Sequence, residues 1–71
     1  MIKSITLNSS MLLLAEYNDE TQELTVTFNN SGEYKYFDVP PEIFSEMTSQ
    51  KEAIGKWFTA NIKNKYRYEK V

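Results

Sequence analysis

The sequence predicts an α+β fold, an antiparallel β-meander of three to four strands packed on one face by two C-terminal α-helices. Three observations carry this expectation. Residues 2 to 36 read as short β-branched and aromatic runs separated by Asn, Ser, Asp and Gly turns. Val39-Pro40-Pro41 then closes the strand region, because proline lacks the N–H that a sheet ladder requires. Beyond it, apolar residues recur three and four positions apart, the period of a helix with one buried face. Strands followed by helices, rather than alternating with them, mark a sheet covered on one side.

In order, Ile2-Lys3-Ser4-Ile5-Thr6-Leu7 is β-branched with imperfect alternation and reads as a short edge strand ended by Asn8-Ser9-Ser10. Met11 to Tyr17 is almost wholly apolar, short enough for a strand, and followed by the turn residues Asn18-Asp19-Glu20-Thr21. Plain alternation sends Leu12 and Leu14 to one face and Leu13, Ala15 and Tyr17 to the other. Glu23 to Phe28 is the clearest strand, with Leu24, Val26 and Phe28 apolar and Glu23, Thr25 and Thr27 polar. Gly32 in the left-handed position of a three-residue loop would set Asn29 opposite Glu33, Phe28 opposite Tyr34 and Val26 opposite Tyr36. That register puts both tyrosines on the core face; a slip of one residue would turn them out.

Pro41 suits the first turn of a helix reaching Met47, with Ile43, Phe44 and Met47 as its apolar stripe. Ser49 and Glu52 have the spacing of a capping box, so a second helix is expected from about Gln50 to Asn61. Its face is Ala53, Ile54, Trp57, Phe58 and, just beyond, Ile62. Gly55 within it costs about 1 kcal/mol relative to alanine and marks either close packing or an irregular start. Trp57, Phe58, Phe44 and Ile62 are expected to meet Leu24, Val26 and Phe28 in the core. From Lys63 to Tyr68, Lys63, Lys65 and Arg67 alternate with Asn64, Tyr66 and Tyr68, which in an extended tail separates cations from aromatics.

Length and composition bound the function. The 71 residues suit one domain over 1–71, and a chain this short buries only about 60% of its unfolded surface. Most of the ten aromatics are therefore needed for packing. There is no cysteine and no histidine, which removes disulfides, thiolate nucleophiles, imidazole bases and the common zinc spacings. No run is apolar enough to span a bilayer and no secretory leader is evident, so a cytoplasmic protein is expected. The net charge of −2 conceals a division. Residues 1–50 carry two lysines and eight acids, whereas residues 51–71 carry six basic residues and two acids.

Several marks together resemble a known family. They are Ser9-Ser10, Tyr17-Asn18, Leu24-Val26-Phe28, Tyr34-x-Tyr36, Val39-Pro40, Gly55, Phe58, Ile62-Lys63 and Lys65-Tyr66-x-Tyr68. In order and spacing they resemble the KTSC domain, a small bacterial and phage module found at the C-terminus of some lysyl-tRNA synthetases and as a free-standing protein. Arg67 departs from the pattern, which has proline between the closing aromatics. The resemblance implies no catalysis and no cofactor, and RNA binding has been suggested for the family.

Candidate sites follow from residue chemistry. Tyr34 and Tyr36 could stack unpaired bases if exposed; their parity with Val26 and Phe28 assigns them first to the core, with Lys35 pointing away. The closing aromatics Tyr66 and Tyr68 are likewise read as packing residues. Lys56, Lys63, Lys65, Arg67 and Lys70 could meet phosphates, although the acidic overall balance is unlike that of most nucleic-acid-binding domains. Glu42 and Glu46 share a helical face but read as solvated carboxylates, Glu42 favoured near the positive helix N-terminus. Asp19 and Glu20 belong to a turn, and Ser9 and Ser10 have no base to activate them. No metal site and no enzyme activity are expected. The functional expectation is a non-enzymatic binding module contacting RNA through the basic C-terminal tail, chiefly Lys63, Lys65 and Arg67, with Lys35 and Lys56 as further candidates; the alternative is a protein-interaction module.

Overall fold

The computed structural model describes residues 2–7, 10–30, 32–50 and 53–71. Among these residues an antiparallel meander of five strands runs in chain order: β1 (Ile2–Thr6), β2 (Leu12–Asn18), β3 (Glu23–Phe28), β4 (Gly32–Tyr36) and β5 (Tyr68–Lys70). Between β4 and β5 lie α1 (Pro41–Thr48), α2 (Ile54–Phe58) and a π-helical turn (Thr59–Lys63). The α+β class is as expected, with two differences. The sheet has five strands rather than three to four, and the fifth follows the helices.

β1 is the expected edge strand, with Ile5 opposite Ala15. The pairing of β2 with β3 is irregular: Leu12 lies opposite Phe28 and Leu14 opposite Thr27, leaving Leu13 as an inserted residue. Such a bulge shifts side-chain phase by one. Leu12, Ala15 and Tyr17 are therefore buried together while Leu13 is 43% exposed, which corrects the face assignment from plain alternation. The bulged Leu13 carbonyl accepts the Leu7 N–H at 2.8 Å, which continues the β1–β2 pairing one residue past Thr6.

Gly32 does adopt the left-handed region, φ +86°, but it lies opposite Phe28, with Val26 opposite Tyr34 and Leu24 opposite Tyr36. The register thus differs from expectation by two residues. Because side-chain parity is two, the tyrosines keep the core face all the same.

Helix α1 begins at Pro41 as expected, and Phe44 and Met47 are its buried side chains. Ser49 has a different role from the expected N-cap. Its hydroxyl and its N–H both donate to the Glu46 carbonyl, closing the C-terminus of α1; Glu52, its proposed capping partner, lies outside the described residues, as does Ser9. The second helix starts later than expected, at Ile54, and widens into the π turn. There Asn61 donates its side-chain amide to the Trp57 carbonyl at 2.9 Å and Thr59 its hydroxyl to that of Gly55 at 2.9 Å. These bonds supply side-chain donors to backbone acceptors where the regular ladder is altered.

One face of the sheet meets the helices. Leu24, Val26, Tyr36, Val39, Met47, Phe58 and Ile62 are buried there, while Trp57 and Phe28 pack at the margin. Tyr17 stacks on Phe44 with ring centroids 4.9 Å apart and donates its hydroxyl to the Val39 carbonyl. This pays the desolvation of a phenol that is 1% exposed. None of the described helices is long and apolar enough to cross a membrane.

Candidate functional site

Pairing of β4 with β5 builds the site. Tyr34 lies opposite Lys70, Tyr36 opposite Tyr68, and Lys35 opposite Glu69. Cross-strand partners share a face, so Tyr34, Tyr36, Tyr68 and Lys70 sit on the helix side, with Lys35 and Glu69 on the other. The rings form a connected patch. Phe28 and Tyr34 are 5.3 Å apart, Tyr34 and Tyr68 5.8 Å, Tyr36 and Tyr68 5.4 Å, and Tyr36 meets Phe58 edge-on at 5.3 Å.

The helices leave part of this patch open. A groove of about 320 Å³ lies over it, lined by Phe28, Tyr34, Tyr36 and Tyr68, with Lys63 at its margin and Asn29 and Asn30 from the hairpin tip. Tyr36 is its floor at 2% exposed, whereas Tyr68, 52% exposed, offers its ring to solvent. Tyr34 is half-buried. Asn29 is held by two bonds, its N–H to the Met11 carbonyl at 2.8 Å and its side-chain amide to the Ser10 carbonyl at 3.1 Å. The hairpin tip is thereby tied to the start of β2.

The expected cations do not converge. Lys63 lines the aromatic groove and Lys56 lines a neighbouring hollow beside Ser10 and Met11. Lys35 lies on the opposite sheet face, 3.8 Å from the Glu23 carboxylate, an exposed pair worth at most about 1 kcal/mol. Arg67 places its guanidinium 4.9 Å above the Phe37 ring, and its carbonyl accepts the Phe37 N–H at 2.9 Å. Lys65 is exposed in the turn before β5. The tail from Lys63 to Tyr68 is thus a π turn, a tight turn and then a strand, which corrects its reading as one alternating extended segment.

Tyr66 packs half-buried against the core. Glu42 and Glu46 are exposed on α1, and Asp19 and Glu20 occupy the β2–β3 turn. No group of three carboxylates that could hold a metal ion occurs among the described residues. Sequence reasoning missed Phe28, Asn30 and Met11 as groove residues and gave Lys70 no place beside the tyrosines. Parity was the available signal for Lys70, because a strand that carries Tyr68 inward carries Lys70 the same way.

The buried floor has a measurable consequence. Burial pushes the Tyr36 phenol up to about 12, with the neighbouring Tyr68 and Tyr34 phenols adding to the rise. Burial also raises Tyr17, assisted by the charges of Asp19 and Glu42. An unfolded tyrosine ionises near 10, so above that pH the unfolded chain releases protons that the folded chain retains. Stability is fully present below about pH 10 and is lost as pH rises toward 12, at up to about 1.4 kcal/mol per pH unit for Tyr36. Urea midpoints are expected to hold to pH 9 and fall between pH 10 and 12, with a shallower fall in Tyr36→Phe. An unchanged slope in that variant would remove Tyr36 from the account.

Comparison with known proteins places this architecture. The model of the KTSC domain matches residues 8–66. A lysine–tRNA ligase from Nostoc punctiforme is 31% identical over 62 residues, covering 87% of this chain but only 11% of the ligase. The chain therefore spans about a tenth of the length of that relative. An uncharacterized protein from Stutzerimonas stutzeri is 32% identical over 71 residues, covering 99% of both chains. The crystal structure of a KTSC domain protein from Yersinia pestis superposes with a TM-score of 0.91 at 25% identity, over 100% of this chain and 99% of that one. With the domain model spanning β2 to the start of the closing segment and a solved member sharing the whole fold, the chain belongs to the KTSC domain family.

Proposed function

We propose that this chain is a non-enzymatic binding module that holds unpaired RNA over the aromatic groove. The observation that carries the reading is the meeting of Tyr34 and Tyr68, whose rings remain partly open, with Lys63 at one groove margin. An aromatic face takes any unpaired base by stacking, worth about 1–3 kcal/mol per base, and an adjacent ammonium takes the phosphate. A duplex keeps its bases stacked on one another and offers no such face. The relative named a lysine–tRNA ligase supports the same class of ligand, since that protein acts on an RNA. The absence of cysteine suits a reducing compartment, and we place the module in the cytoplasm on that ground.

Among the tail cations, Lys63 is assigned direct contact. Lys65, Arg67 and Lys35 add only to the surrounding field, screened within about 8–10 Å at physiological salt.

Titration with an unstructured RNA and with a fully paired hairpin tests the reading. Binding of the unstructured RNA is expected at low salt, weakening as salt rises. Tyr68→Ala, which removes a ring 52% exposed, is expected to weaken it about five- to 150-fold. Absence of binding at low salt, or binding indifferent to both Tyr68→Ala and Lys63→Ala, would overturn it. A protein partner captured after nuclease treatment, and lost with the same two variants, would assign the groove to protein recognition instead.

A further inference from the structure

The aromatic groove does not stand alone. A second hollow of about 640 Å³ lies between the start of β2 and the α2–π segment, and Ser10 and Met11 line both. The two therefore meet along that segment. Lys56, Thr59 and Ala60 line the second hollow and Lys63 the first; positions 56, 59, 60 and 63 follow one helical face.

Charge distinguishes this track from the remaining surface. In a chain of net charge −2, the described residues that line one hollow or the other include two lysines and no carboxylate. The strand acids lie elsewhere. Glu16 and Glu23 line a separate hollow beside Lys35 on the opposite sheet face, while Glu33 and Glu69 carry the strand parity of that face. These four strand acids thus lie on the sheet face away from the track, and an anionic ligand is favoured along it.

We infer that the two hollows form a single track for a short unpaired strand. The aromatic end stacks the bases and the Lys56 end holds backbone phosphate beyond them. This rests on the reading of the aromatic groove as an RNA site, and it adds a length and a second contact point. Seven residues separate Lys56 from Lys63, about 10 Å along a helix and less through the π turn. At the stacked spacing of about 3.4 Å per phosphate on one strand, that span covers about two to three nucleotides. The ligand class is therefore an oligonucleotide rather than a mononucleotide, entering past Met11.

Titrating the whole chain with uridine monophosphate and with oligouridylates of increasing length, followed by NMR, tests the track. Affinity is expected to rise with each nucleotide up to about three and then level. The Ala60 methyl signal, in the second hollow alone, is expected to shift with the trinucleotide but not with the monophosphate. Lys56→Ala, at an exposed position, is expected to weaken the trinucleotide about three- to fivefold and reduce its salt slope by about 0.7, leaving the monophosphate unchanged. Lys63→Ala is expected to weaken both. Trinucleotide binding indifferent to Lys56→Ala, or affinity already level at one nucleotide, would overturn the track and leave the aromatic site standing. No binding at any length, with the Tyr34 and Tyr68 signals unmoved, would overturn both.

Discussion

Phe58→Ala is expected to destabilise the domain by about 3–5 kcal/mol, the usual range for truncating a fully buried aromatic. Phe58 is 0% exposed and its ring meets two others edge-on, Phe28 at 5.6 Å and Tyr36 at 5.3 Å. It is the helix side chain that contacts the groove's floor and wall together. At roughly 0.05–0.15 kcal/mol per residue, a chain of this length has about 4–11 kcal/mol of total stability, so the variant would lose much or all of it. Urea denaturation followed by Trp57 fluorescence gives the difference, provided both proteins unfold in two states. Phe58→Leu, which keeps apolar volume, is expected to lose considerably less and to remain folded. A loss below about 1 kcal/mol for Phe58→Ala would mean that the helix does not brace the aromatic patch. In that case the groove's shape would need another support.

Much of this arrangement was legible because it rests on parity and period. Leu24, Val26 and Phe28 declare the buried face of β3. Tyr34 and Tyr36 follow them inward even though the hairpin closes two residues differently from expectation. Pro41 marks the start of α1 through backbone chemistry alone. What was not legible depends on contacts distant in sequence. Tyr68-Glu69-Lys70 is too short for a periodic signal, and it becomes a strand because β4 otherwise presents an unpaired edge. The start of the second helix was misread because Ser49 can satisfy a carbonyl behind it as readily as an N–H ahead of it.

The candidate site divides in the same way. Lys63 was identified from local charge, and Lys35 was already assigned to the outer face by parity. The alignment of Lys56 with Lys63, and of Lys70 with Tyr34, required the helix and the fifth strand to be in place. Arg67 breaks the family's proline pattern, and it is held over Phe37 rather than beside the groove. Its backbone still bonds to Phe37, so the departure leaves the route into β5 intact.

Leu12→Ala and Leu13→Ala, adjacent and chemically identical changes, are expected to differ by several kcal/mol. Leu12 is 0% exposed and Leu13 43% exposed, so truncation costs about 2–5 kcal/mol at the first and within about 0.5 kcal/mol at the second. Alternation from Tyr17 back through Ala15 would reverse the order, because it places Leu13 inside. The pair therefore measures the bulge directly, by urea midpoints at constant m-value. Equal losses, or a larger loss at Leu13, would mean that β2 is unbulged. The groove depends on the same feature. The insertion at Leu13 separates the regular part of β2 from Ser10 and Met11, whose carbonyls hold Asn29 at the hairpin tip. An unbulged strand would carry that segment through with the opposite phase. Met11 would then no longer stand between the two hollows, and the aromatic patch would lose its connection to Lys56.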